Sequence, residues 1–165
     1  MKLKNQVPNV LTLINLALGF LSIIFSFNHQ FTLSAVLILV AVFFDFLDGQ
    51  IARTFYIESK IGIELDSLAD LVSFGVAPAV MMHAIFQSDV LMIILVFYVL
   101  AGAFRLARFH VLKSKIEGFL GMPITVNGLL FPVLYFVGAN LEIVAVIFVV
   151  SLVLMVSTLH FKKVI

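Results

Sequence analysis

Four aspartates, Asp45, Asp48, Asp66 and Asp70, stand close together in a chain in which only 12% of residues are charged, and long apolar runs flank them on both sides. Asp45 and Asp48 are three apart and Asp66 and Asp70 four apart, so on helices each pair occupies one face. Gly49 and Ala52 continue the first face and Gly62 the second. An ionised side chain near the centre of a membrane helix costs about 2.5–3.5 kcal/mol, so four deep ones would cost on the order of 10 kcal/mol. Carboxylates this close also repel one another. A bound divalent cation offsets both terms, and an oxygen-only ligand set favours hard ions: magnesium, manganese or calcium. The small residues let two helices and an anionic ligand approach closely, and Arg53 beside them suits a phosphate. The bland alternative, surface residues of a polar turn, suits Glu58 and Lys60 but not four carboxylates that point one way on each helix.

The elements that position this cluster follow from composition. The chain has 165 residues, 63% of them hydrophobic, with a mean hydropathy of +1.23. A soluble domain of this size could not bury that much apolar surface, so the solvent is lipid. There is no cysteine, which excludes disulfides, thiolate metal sites and cysteine nucleophiles. A net charge of +1 gives no reason to expect a nucleic-acid partner. The first apolar run is too long for a signal-peptide core and no small-residue cleavage site follows it, so it reads as a retained span. With about 20 apolar residues needed per crossing, six spans are expected, at roughly 7–27, 31–54, 62–86, 90–112, 121–138 and 142–160. They are separated by the polar breaks "FNHQ", "YIESK", "QSD", "KSKIEG" and "GAN". Period-two alternation, the mark of a membrane barrel, is missing. The expected fold is therefore an all-α integral membrane bundle of six transmembrane helices, with residues 1–165 as a single catalytic domain.

Six crossings put every Lys and Arg on one side: Lys2, Lys4, Arg53, Lys60, Arg105, Arg108, Lys113, Lys115, Lys162 and Lys163. The opposite turns carry only Asp89 and Glu142. Basic residues mark the cytoplasmic side, so both termini are expected there, in a multi-pass protein of the plasma membrane. The turn between the second and third spans makes those helices antiparallel neighbours. Their carboxylate pairs then converge in a site that opens to the cytoplasm.

The order Asp45-x-x-Asp48-Gly49-x-x-Ala52-Arg53, eight residues, then Gly62-x-x-x-Asp66-x-x-x-Asp70 resembles the signature of the CDP-alcohol phosphotransferase family at every position. The resemblance implies six membrane helices around a cytoplasm-facing site, a homodimer, and two divalent ions, Mg²⁺ or Mn²⁺, per site. It implies that Asp45, Asp48, Asp66 and Asp70 bind metal and that Asp70 is also the general base. Gly49, Ala52, Arg53 and Gly62 would line the CDP and diphosphate site. The stretches "PNVLTLINLALGF", "DSLADLVSFGVAPA", "GAFRLARF" and "GFLGMPITVNG" are similar to the phosphatidylserine synthase branch. That branch joins L-serine to a CDP-linked lipid such as CDP-diacylglycerol or CDP-archaeol and releases CMP. "GMPITVNG" departs from the more usual "G-L-P" stretch, which bears on the acceptor contacts rather than on the chemistry.

Arg105 and Arg108 share a helix face, and an arginine matches a carboxylate bidentately, so one of them is a candidate for the serine carboxylate. Ser73, one turn beyond Asp70, is a candidate acceptor contact. Thr12 and Asn15, three apart on the first span, form a polar stripe assigned to the nucleotide side, whereas Pro8 and Asn9 start the helix. His29, His83, His110 and His160 lack metal-ligand spacing and read as interfacial or packed. Two alternatives stay open. The same chemistry on glycerol 3-phosphate or inositol phosphate would ask for more basic residues. A cation transporter would need polar groups continuing across the membrane, and beyond Asp70 the third span offers only Ser73 and His83 before Gln87.

Overall fold

The computed structural model describes residues 7–55, 59–112 and 119–161. Lys2, Lys4, Glu58, Lys113, Lys115, Lys162 and Lys163, on which much of the charge asymmetry rests, lie outside the described residues, as do the side chains of His110 and His160. Six helices follow one another: α1 Val7–Phe27, α2 Phe31–Thr54, α3 Lys60–Phe86, α4 Asp89–Leu112, α5 Thr125–Val137 and α6 Leu141–Val156. The first four are long and apolar enough to cross a membrane, whereas α5 and α6 are shorter apolar helices.

α1 carries small and polar residues on its packed face. Its buried residues are Pro8, Thr12, Asn15, Gly19, Ser22 and Ser26, spaced alternately four and three apart, and all are small or polar. Its exposed residues include Leu13, Phe20, Leu21 and Ile24. Small and polar inside with large and apolar outside is the pattern of a helix packed in lipid. α1 packs most extensively on α2. There Ser34 lies 2.7 Å from the Ser22 hydroxyl and 2.8 Å from that of Ser26, so the three hydroxyls satisfy one another. At α3 the contact is closer: a Cβ on Gly19 would come within 2.7 Å of the Ser73 Cα, and the Ser73 hydroxyl donates to the Asn15 carbonyl at 3.0 Å.

Local chemistry sets the ends. Ser59 caps α3, its hydroxyl accepting from the Gly62 N–H at 3.0 Å, and Asn140 caps α6 by accepting from Ile143 at 3.0 Å. α5 closes at Gly138, which takes a left-handed φ of 72°. The last two expected spans are longer than the helices found. Gly121, at φ 74°, donates to the Leu159 carbonyl and Met122 to that of Leu154. Pro123 follows, so the chain turns before α5 begins at Thr125. α6 ends at Val156, and beyond it His160–Phe161 pairs antiparallel with Phe119–Leu120.

Residues Leu71–Val76 of α3 form a π-helical stretch directly after Asp70, with Ala77 N–H reaching back five residues to the Val72 carbonyl. The apolar core packs on this stretch. Phe74 is fully buried, and Tyr98 of α4 stacks edge-on against Phe131 and Phe148, themselves stacked with centroids 3.7 Å apart.

Candidate active site

α2 and α3 bring the two carboxylate pairs together. One oxygen each from Asp45, Asp48 and Asp66 lies within 4.8 Å of the others, and the Asp70 carboxyl sits against that of Asp45. They line a cavity of about 350 Å³ together with Thr12, Gly49, Ala52, Arg53, Gly62 and Arg105. Asp48 is 4% exposed and Asp70 7%, so the cluster is set into the bundle and is not spread on a surface turn. At an effective dielectric near 20, each pair of such charges repels by on the order of 3 kcal/mol, which calls for an opposing charge.

The α1 stripe serves this cluster. The Thr12 hydroxyl donates to Asp48 Oδ2 at 2.7 Å and also lies 3.0 Å from the Pro8 carbonyl. The shorter, charge-assisted contact fixes the carboxylate's rotamer. Gly62 lies under α1, where a Cβ would meet the Asn9 side-chain oxygen at 2.7 Å. At Gly49 a Cβ would find no atom within 4 Å, so its missing side chain leaves open cavity. Arg53 is exposed on the cavity lining and donates from Nε to the Gly49 carbonyl at 3.0 Å.

The two arginines of α4 part company. Arg105 is 5% exposed, lines the cavity, lies in the field of Asp70 and Asp66, and has a buried Nε without a hydrogen-bond partner. Arg108 points the other way. It donates to the carbonyls of Met155, Val156 and Ser157 at 3.1, 2.8 and 2.9 Å, tying the end of α6 to α4. Three residues assigned to the site from sequence do not line the cavity: Arg108, Ser73, which packs between Asn15 and Gly19, and Asn15, whose amide is fully buried with neither atom paired. His29 is exposed at the α1–α2 turn, edge-on to Phe31, and His83 lies half-buried in the distal part of α3.

Several lining residues were not among those expected at the site. Thr125, the first residue of α5, lies beside the Asp45 carboxylate. Pro123, Leu106 and Phe109 complete that wall. Thr125 follows Asp45 by about half the chain, so no local spacing could connect them. Pro8, Asn9 and Ser59 also reach the cavity while starting their helices.

The donor set fits a divalent cation. Three carboxylate oxygens converge at close range, Asp70 Oδ1 is buried without a hydrogen-bond partner, and Gly49 leaves room. Hard oxygens of this kind suit magnesium, manganese or calcium.

The family model for CDP-alcohol phosphatidyltransferases matches residues 5–159. The chain belongs to the CDP-alcohol phosphatidyltransferase family. Among its relatives, the CDP-diacylglycerol–serine O-phosphatidyltransferase of Methanocaldococcus jannaschii is 40% identical over 124 residues, covering 75% of this chain and 57% of that protein. The archaetidylserine synthase of Methanothermobacter thermautotrophicus is 36% identical over 163 residues, covering 96% of this chain and 70% of the relative. The CDP-diacylglycerol–serine O-phosphatidyltransferase of Helicobacter pylori is 35% identical over 173 residues, covering 95% and 73%. This chain therefore spans little more than half of the first relative's length and about seven-tenths of the other two. Members of this family generally use divalent metals, in keeping with the acidic cluster.

Proposed function

We propose that this chain transfers the phosphatidyl group, or its ether-lipid counterpart, from a CDP-linked lipid to the hydroxyl of L-serine. The products are the serine phosphodiester lipid and CMP. The observation that carries this reading is a single cavity in which Asp45, Asp48, Asp66 and Asp70 face a buried Arg105 with an unpaired Nε. That arrangement supplies negative donors for metal and a cation for a small anionic acceptor. The names of the relatives support serine as that acceptor.

Asp45, Asp48 and Asp66, with Asp70 at the edge, would hold two Mg²⁺ or Mn²⁺ ions. When bound, these supply charge neutralisation and alignment of the diphosphate for in-line displacement. The chain's own residues do the rest. Thr12 keeps Asp48 turned into the cavity. Gly49, Ala52 and Gly62 leave space for the cytidine diphosphate, and Arg53 contacts its phosphates. Arg105 grips the serine carboxylate, which orients the hydroxyl toward Asp70. As the serine oxygen forms its bond to phosphorus, Asp70 takes the hydroxyl proton. The phosphorus–oxygen bond to CMP breaks, and CMP leaves with the electron pair.

The described helices form one catalytic unit, and both termini face the cytoplasm with the cavity opening there. The protein resides in the plasma membrane as a homodimer. An acceptor panel tests the reading: purified protein, CDP-diacylglycerol or CDP-archaeol, a divalent metal, and L-serine, glycerol 3-phosphate or inositol phosphate in turn. Serine should give the main lipid product. Product with glycerol 3-phosphate and none with serine would overturn the acceptor while leaving the family intact.

A further inference from the structure

The π-helical stretch Leu71–Val76 begins at the residue after Asp70, and two hydrogen bonds to other helices hold it. The Ser73 hydroxyl donates to the Asn15 carbonyl of α1 at 3.0 Å. The Tyr98 hydroxyl of α4 donates to the Phe74 carbonyl at 2.7 Å. A donor from outside the backbone suits Phe74. In a regular helix its carbonyl would accept from the N–H four residues on, but that residue is Pro78, which has none. Tyr98 is fully buried, so its hydroxyl has no solvent to turn to. The Asn127 side-chain amide of α5 lies beside it. With an amide next to the phenolic oxygen, the hydroxyl proton is directed to Phe74. Asn127 in turn sits two residues after Thr125, the neighbour of Asp45.

We propose that Tyr98 is a positioning residue for the transfer reaction: by supplying the donor that Pro78 lacks, it holds the π-helical stretch in place and so aims the Asp70 carboxylate at the acceptor hydroxyl. An inserted π turn shifts the helical phase, so the packed half of α3 (Phe74, Ala77 and Met81) and the carboxylate half (Asp66 and Asp70) can each face where they must. Such turns recur at functional sites. Tyr98 is not among the residues that line the cavity. It acts through Asp70, and in this the inference rests on the base role given to Asp70 above.

The test is Tyr98→Phe, which removes only the hydroxyl, measured in the wild-type and Asp70→Asn backgrounds. In the wild-type background kcat should fall about tenfold, within the range expected when a reacting group is displaced by less than 1 Å. The KM for CDP-lipid should stay within about twofold. In the Asp70→Asn background the same change should cost less than about twofold, because there is no longer a base to aim. Equal losses in the two backgrounds, or an unchanged kcat in the first, would overturn the proposal. Should Tyr98→Phe not accumulate in folded form, Tyr98→Phe/Pro78→Ala gives the Phe74 carbonyl a backbone donor in place of the lost hydroxyl. Normal melting with kcat recovered to near wild type supports donation to Phe74 as the positioning contact, whereas normal melting with a kcat still about tenfold low refutes it. Transfer to serine by the wild type is followed in the same assay. Its absence would count against the proposed acceptor, while the ratio between backgrounds, taken with whichever acceptor turns over, reads Tyr98 alone.

Discussion

At the level of single residues, the division of labour between Arg105 and Arg108 is the most informative outcome. Three apart on α4, they are indistinguishable by spacing, and each was a candidate for the acceptor's carboxylate. The structure turns one into the cavity and spends the other on three main-chain carbonyls of α6. Their truncations should therefore differ in kind. Arg105→Ala should raise the serine KM by roughly 10- to 100-fold, the scale of a lost charged hydrogen bond of about 1.5–3 kcal/mol, with a far smaller change for CDP-lipid. Arg108→Ala should lower the melting temperature in detergent while leaving the serine KM near wild type. Kinetics with serine as the varied substrate separate them, and a serine KM raised only in Arg108→Ala would reverse the assignment. The four aspartates were legible because three- and four-residue spacing has one meaning on a helix. Thr125 was not, because its nearness to Asp45 depends on how α5 docks on α2. Thr12 was legible as a cavity residue, but its bond to Asp48 was not.

At the level of elements, the apolar runs located all six helices, since composition alone decides where a chain can sit in lipid. They overran α5 and α6. There Gly121 and Pro123 shape a turn that an apolar tally does not register, and Leu159 and His160 are held by main-chain bonds to the segment before α5. The π-helical stretch was hidden for a related reason. Pro78 marks a missing donor, but the group that replaces it comes from α4. The close α1–α3 contact is also tertiary, and it yields a stability prediction. Gly19→Ala would push a Cβ to within 2.7 Å of the Ser73 Cα, so two backbones must move apart. Overpacking of this kind costs about 1–3 kcal/mol. Thermal unfolding in detergent should show a clear drop in Tm for Gly19→Ala, whereas Gly138→Asn, at a left-handed cap with open space, should change it little. A wild-type Tm for Gly19→Ala would mean that α1 and α3 are not packed at this distance.

For the whole molecule, a buried polar stripe, an apolar exterior and a carboxylate-lined cavity occur together among the described residues. The chain has no cysteine, so single introduced thiols report sidedness without background. Phe55→Cys, exposed at the end of α2, should react with an impermeant maleimide only when the cytoplasmic face is exposed. Asn28→Cys, at the α1–α2 turn, should react only from the opposite face. The reverse pattern would invert the orientation. The central claim is that these four carboxylates drive phosphatidyl transfer to serine, and one measurement addresses it most directly. Purified wild-type protein and Asp66→Asn are given CDP-lipid, labelled L-serine and Mn²⁺, and labelled lipid and CMP are followed together. The wild type should form the two products in equal amounts and stop on addition of EDTA, and Asp66→Asn, inserted and folded, should form neither. Transfer by Asp66→Asn at near the wild-type rate, or CMP release that never matches serine incorporation, would contradict the account.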